Sequence, residues 1–412
     1  MNIYFAIILF WVERNGRYIS PPHSKVSYSG MLFVRSMMIH FVAMSLGKAV
    51  TIATRYSCVR RQGEKAPGEG EVKLLDYQTQ QYKILPYIAG AYAFVFAGRY
   101  IRDMHLRVSQ DIKTGNVEEL PEMHALAAGL KAQVTWEVVR GVEICRLACG
   151  GHGYSLASKL PQLYNNMTPS CTYEGDNTVM LLQVARYLMK VMKQRNPSAA
   201  NKSYAFVSYL WKKLPSKSRL NQFVDTDCIL EAYEHVAQRL IRDCANKLDN
   251  FVSRGYKPHE AWDMTAVELV RAAKAHVDVT IVQIFVEALP AIKDSSVRHM
   301  LTQLCRLWTT FRIYKRSGRF IEDNYLCAQQ LKYVQEAMLQ LLAELRPQAV
   351  GLVDAFCFSD RELCFSVLGR YDGNVYENLV KWASESPLNK KQVMDAFNKY
   401  MKPVMKEMRS RL

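Results

Sequence analysis

Several signatures are missing from this 412-residue chain, and each absence closes off a chemistry. Its ten cysteines include no Cys-x-x-Cys, so no redox pair is encoded, and their irregular spacing reads as reduced thiols, most of them buried, in an intracellular protein. Cys145 and Cys149 stand four apart, on one face of a helix. The stretch His259-Glu260-Ala261-Trp262-Asp263 starts like a zinc-protease helix but lacks the second histidine, and no metal site is expected. There is no Gly-x-Ser-x-Gly elbow and no phosphate loop ending in Gly-Lys-Ser/Thr. Strand patterns are scarce after residue 30, and no repeat of fixed period occurs. The apolar opening, MNIYFAIILFW, is too short to span a bilayer and has no basic region before it.

What remains is the composition of a soluble globular protein, 49% hydrophobic and 22% charged. Net charge is +16. That points to an anionic partner, whether nucleic acid, an acidic membrane surface or a phosphorylated small molecule, but no RNP-type, zinc-finger or homeodomain pattern accompanies it, so nucleic acid is not expected.

The pattern along the chain is helical. After a hairpin expected at Asn15-Gly16, long apolar-periodic segments run from Met31 to about Gln62, from Leu74 past Tyr100, from Glu119 to Cys149, and from Glu174 to about Lys193. GEKAPGEGE reads as a loop, GGHGYS as a break, and KLPQLYNNMTPSCT as an irregular connector. Further helices are expected near 231–251, 258–290, 295–316, 323–345 and 388–408. The fold class is therefore all-α, two consecutive bundles. The expected divisions are an atypical N-terminus at 1–27, a first bundle at 28–195, a linker at 196–226, a second helical domain at 227–408 and a terminal tripeptide at 410–412. That tripeptide, Ser410-Arg411-Leu412, is a variant of the Ser-Lys-Leu peroxisomal address.

Two places could carry chemistry. In CGGHGYS, glycines 150, 151 and 153 either cap a helix or bring bare backbone N–H groups to a phosphate. In CTYEGDNTVMLLQVARYLMK, Glu174 is either a helix-start carboxylate favoured by the dipole or a base. As a base it needs shielding from water, with Tyr173 as an apolar wall, Gly175 permitting close approach, and a free backbone N–H to polarise a carbonyl.

These residues have a family likeness. RYSCVRRQ, LDYQTQQYK, PEMHALAAGLKA, CRLACGGHGYS and the Glu174 segment, in this order, resemble the peroxisomal acyl-coenzyme A oxidases and the wider acyl-CoA dehydrogenase superfamily, from about residue 12 to the C-terminus. The resemblance implies an FAD enzyme of fatty-acid β-oxidation in the peroxisomal matrix. Such an enzyme converts acyl-CoA and O2 to trans-2-enoyl-CoA and H2O2, a glutamate taking the α-proton while the flavin takes the β-hydride. It implies Glu174 as the base, with its N–H polarising the thioester carbonyl, and Tyr173 and Gly175 beside the substrate. Arg35 would contact the CoA portion. Arg60 would reach the flavin pyrophosphate of a partner subunit, Gln78 and Gln81 the adenosine part, and Gly150 and Gly151 the pyrophosphate across a dimer. Asp176, Asn177 and Thr178 would form a flavin-contacting turn. Leu147 stands where the dehydrogenases often have glutamine, as in the oxidases, and Asp176 is itself a mild departure. The family implies an N-terminal helical domain and a β-domain before this region, so the chain is expected to be a shortened form with impaired flavin binding. It is also expected to dimerise with itself or a paralogous oxidase, and to meet the peroxisomal import receptor through residues 410–412. The rival expectation is a non-catalytic helical partner that regulates a full-length oxidase.

Overall fold

The computed structural model describes residues 11–19, 29–194 and 204–410. The expected hairpin is present: β1 (Trp11–Val12) pairs antiparallel with β2 (Tyr18–Ile19), Val12 opposite Tyr18. The Asn15 side chain accepts from the Arg17 N–H at 2.9 Å, closing the turn.

Three long helices follow: α1 (Ser29–Val59), α2 (Gln78–Lys113) and α3 (Leu120–Ala148). Their lengths follow from apolar residues at helical spacing; in α1 the stripe Ile39, Val42, Leu46, Val50 is wholly buried. Then come α4 (Gly151–Tyr154), α5 (Leu160–Met167) and α6 (Asn177–Met192). Helices α1, α2, α3 and α6 pack together as a bundle. Helices α1 and α2 are long and apolar enough to cross a bilayer, yet most of each apolar window is buried inside the protein.

The second region holds α7 (Thr226–Ser253), α8 (Pro258–Met264), α9 (Ala266–Ala288), α10 (Ser295–Lys315), α11 (Gly318–Ile321), α12 (Ala328–Leu345), α13 (Ala349–Asp354), α14 (Val375–Glu385) and α15 (Lys402–Ser410). It lies along the flank of the first: α9, α10 and α12 pack on α2, α9 also packs on α3 and α6, and one apolar core runs through both. A buried ion cluster joins them. Arg312 of α10 bridges Glu137 of α3, at 2.5 Å, and Asp278 of α9, at 2.9 Å. Arg316 bonds the same two carboxylates at 3.1 and 2.6 Å.

Helices α13 and α14 lie where no helix was expected, and three further segments differ from expectation. The connector after GGHGYS contains α5, because Pro161 falls in the first turn of that helix, where a missing N–H costs nothing. The described part of the expected linker is packed, not solvated: Phe206, Val207, Tyr209 and Leu210 are buried. Polar bonds anchor it, the Phe206 N–H donating to Glu122 Oε1 at 3.0 Å and the Tyr209 hydroxyl pairing with His276 Nδ1 at 3.0 Å. The helix expected over 388–408 begins late, with a turn of π-helix at Phe397–Met401 leading into α15.

Candidate active site

Glu174 lies where the chain turns into α6, one end of the first bundle. The helix does not begin on it. Asp176 is the cap, its Oδ1 accepting from the N–H groups of Thr178 at 2.8 Å and Val179 at 3.2 Å. Glu174 therefore sits two residues before the cap, in a turn where it and Gly175 both have positive φ, +58° and +111°. A left-handed glutamate costs about 1–2 kcal/mol and needs support from its surroundings. Gly175 is favoured by its φ, and a Cβ there would also press on the flexible end of the Met180 side chain, 2.6 Å from its Cε.

Two cations supply the support. Arg35, buried on α1, donates from Nε to the Glu174 carbonyl at 2.9 Å. Lys131, wholly buried on α3, donates to the Gly175 carbonyl at 2.5 Å and to Asn177 Oδ1 at 2.8 Å. Asn177 is tied from its other side by its Nδ2–H to Thr135 Oγ1 at 2.9 Å. Burial pulls the Lys131 ammonium down to about 8, although Cys171, Asp176 and Glu174 oppose it. Burial also lowers Arg35, and the Glu174 charge opposes that shift. Glu174 itself is half-buried, and its Oε2 is shut off from solvent with no hydrogen-bond partner. Its N–H has no acceptor among the described residues. Tyr173 beside it is 43% exposed, and Phe33, Val34 and Phe41 of α1 are exposed apolar side chains.

The other expected residues divide by placement. Gly150 and Gly151 are exposed, a Cβ on either would meet nothing within 4 Å, and Gly150 needs its φ of +58°. The Gly150 N–H is donated to the Leu147 carbonyl at 3.0 Å, whereas the Gly151 N–H finds no acceptor among the described residues. Arg60, just past α1, bonds the Tyr376 hydroxyl at 3.2 Å and stays partly open. Gln78 and Thr178 are exposed. Gln81 and Asn177 are turned inward: Gln81 donates to the Leu75 carbonyl at 3.1 Å, so neither side chain faces outward. Gln80, which sequence reasoning passed over, is buried and ties Ser57 and the Ala148 carbonyl just before the glycines, the latter at 2.8 Å. One turn before Gly150, Leu147 opens a cleft of about 380 Å³ between α2, α3 and α10. Tyr82, Tyr87 and Phe311 line it, with Lys83, Arg140 and Lys315 as cations. Residues 411–412 of the terminal tripeptide lie outside the described residues.

A profile for "Acyl-CoA oxidase, C-alpha1 domain" matches residues 28–189, and one for "Acyl-CoA oxidase" matches residues 225–406. The chain belongs to the acyl-CoA oxidase family. Against rat peroxisomal acyl-coenzyme A oxidase 1 it is 46% identical over 408 residues, 96% of this chain and 61% of the rat protein. The crystal structure of Caenorhabditis elegans acyl-CoA oxidase-1 complexed with FAD and ATP superposes with a TM-score of 0.88 at 40% identity, covering 97% of this chain and 60% of that one. Acyl-CoA oxidase-2 of the same organism, bound with FAD, ascaroside-CoA and ATP, gives 0.90 at 39% identity, with the same coverage. The chain thus spans about three fifths of the length of the acyl-CoA oxidases it matches. The sequence motifs single out Glu174 and the turn that follows it. The motifs do not mark Lys131, whose one signal is a lone lysine within the small-residue apolar run ALAAGLKAQV.

Proposed function

We propose that this chain supplies the base and the helical wall of the active site of a peroxisomal acyl-CoA oxidase, which turns an acyl-CoA and O2 into trans-2-enoyl-CoA and H2O2. The observation that carries the reading is Glu174: a carboxylate oxygen closed off from water, without a partner, on a left-handed residue braced by two buried cations. Such an oxygen is kept ready for a proton that the resting chain does not provide. In this reading Glu174 removes the α-proton of the acyl thioester. Its N–H donates to the thioester carbonyl, making that proton acidic. Tyr173 and the exposed apolar side chains of α1 exclude water around the acyl chain. Arg35 acts by holding the Glu174 carbonyl, since its buried guanidinium is turned toward the turn.

The residues suit FAD at the glycine pair. The backbone there is bare, the Gly151 N–H is available, and the cleft beginning at Leu147 combines aromatic walls with cations, as an adenosine and its phosphates require. Gly150, Gly151 and Arg60 would hold the pyrophosphate of a partner subunit's cofactor, which makes a dimer part of the proposal. Gln78 and the cleft would face the adenosine end, while Asp176 and Thr178 would form a turn in contact with the cofactor. Bound FAD supplies the two-electron acceptor, which returns the pair to O2. Ser410, Arg411 and Leu412 would direct the protein to the peroxisomal matrix through the import receptor.

The test is direct. The purified chain is mixed with FAD and palmitoyl-CoA, alone and with a full-length paralogous oxidase, and bound flavin and peroxide are measured. Peroxide that disappears in Glu174→Gln while flavin stays bound supports the reading. Dehydrogenation that survives this substitution sinks the assignment of the base. A chain that takes no flavin but co-purifies with the paralogue supports the non-catalytic role instead.

A further inference from the structure

The Glu174 turn presents its two consecutive carbonyls to cations from two different helices. The Arg35 side of this arrangement reaches the carbonyl of the base itself. The Lys131 side is different: its ammonium touches neither the Glu174 side chain nor the outer surface. A wholly buried lysine is costly unless its charge is used, and here each of its acceptors lies in the segment that follows the base. We infer that Lys131 is a positioning residue for Glu174, holding the Gly175 carbonyl and the Asn177 side chain so that the base stays in its left-handed turn.

The geometry explains why a cation is needed at this point. Positive φ at Glu174 is disfavoured by its own Cβ, and Gly175 at +111° has no local preference that would keep it there. Left to local forces, residues 174–176 would extend α6 backward by a turn, as the sequence pattern suggests. Lys131 opposes this in two ways. It engages the Gly175 carbonyl, which a helix would aim along its own axis at a later N–H. It also fixes Asn177, the first helical residue, against Thr135 on α3, so the start of α6 cannot slide. The Asp176 cap then closes the helix from outside. Lys131 thus acts on catalysis only through the backbone, and the inference rests on reading Glu174 as the base.

The experiment compares the chain with Lys131→Met, which keeps the length and apolar stem of the side chain and deletes the ammonium. Amide hydrogen exchange is followed across residues 171–178, with α1 and α3 as internal references. A charge-assisted bond lost from a turn should speed exchange in that segment by roughly 10- to 100-fold, with the references unchanged. Exchange at the wild-type rate in 171–178, or an equal rise throughout the bundle, overturns the inference. If Lys131→Met does not fold, Asn177→Ala removes one of the two anchors of the same ammonium. A smaller rise confined to 171–178 then supports the inference, and no change there overturns it. None of these readings depends on turnover, so they stand even if Glu174 proves not to be a base. Where the flavin-loaded oxidase turns over, Lys131→Met should lower kcat by roughly tenfold or more with KM for acyl-CoA and flavin content nearly unchanged, and Lys131→Arg should restore much of it. A rise in KM with kcat intact would place Lys131 in substrate binding and overturn the positioning role.

Discussion

Replacing Glu122 with glutamine should stabilise this protein at mildly alkaline pH and leave it nearly unchanged in mild acid. Glu122 is 1% exposed, one oxygen accepts from the Phe206 N–H, and the other has no partner. Burial pushes its carboxyl up to about 7. The sign follows from proton binding. Above the unfolded value near 4.5, the unfolded chain has released this proton while the folded chain keeps it until about 7. Stability is therefore lost as pH rises through that window, at about 1.4 kcal/mol per unit, for a total of about 3 kcal/mol. Glutamine has the shape of the protonated acid and cannot ionise. The variant should be more stable than the parent by about 2–3 kcal/mol near pH 8, and by under about 1 kcal/mol near pH 5.

A second buried group makes the comparison necessary. His276, bonded to Tyr209 a few residues along the same packed segment, is pulled down to about 4 by burial. Its contribution is lost in the opposite direction, as pH falls from the unfolded value near 6.5 toward about 4. The parent's own pH profile mixes the two. Subtracting parent from variant at each pH removes His276 and isolates Glu122. Urea unfolding followed by far-UV circular dichroism, at both pH values, gives the four free energies. A difference between variant and parent that is the same at both pH values would refute the reasoning, because a packing effect alone does not titrate.

Three further outcomes are expected. Arg312→Met should cost about 3–5 kcal/mol in urea unfolding, because it strips a shared guanidinium from Glu137 and Asp278 in the interior, and a loss below about 1 kcal/mol would count against that cluster as the joint between the two helical regions. Gly175→Ala should lower stability by about 1–3 kcal/mol, chiefly because φ of +111° is strained for any side chain, and unchanged unfolding would show that the turn is not held as described. Asp225→Ala should cost about 0.5–2 kcal/mol through loss of the α7 cap, whose Oδ1 accepts from the Cys228 N–H at 2.8 Å, with Asp225→Asn retaining most of it.

What could be read from the chain follows the range of the forces involved. Helices α1, α2, α3 and α6 were legible because an apolar stripe is a local pattern that the core then rewards. Helix α5 was not, because two prolines look like breakers unless one knows that Pro161 occupies a first turn. The packing of the segment after residue 203, expected as a linker, has no local signal. The segment joins the common apolar core and is anchored by Glu122 and His276, which lie 84 and 67 residues from their partners. The same limit applies at the site. Local rules place Glu174 at the start of a helix, and the motif marks it as the candidate base, but neither foresees the left-handed turn that separates it from α6. That turn depends on Arg35, 139 residues away in sequence, and Lys131, 44 residues from Gly175. The freedom of the Glu174 N–H consequently has a different origin from the one the helix start suggested. A first-turn amide is free because the helix has no earlier carbonyl to offer it. The Glu174 amide is free because the chain has left the helical path, held off it by two cations that bond the carbonyls of residues 174 and 175.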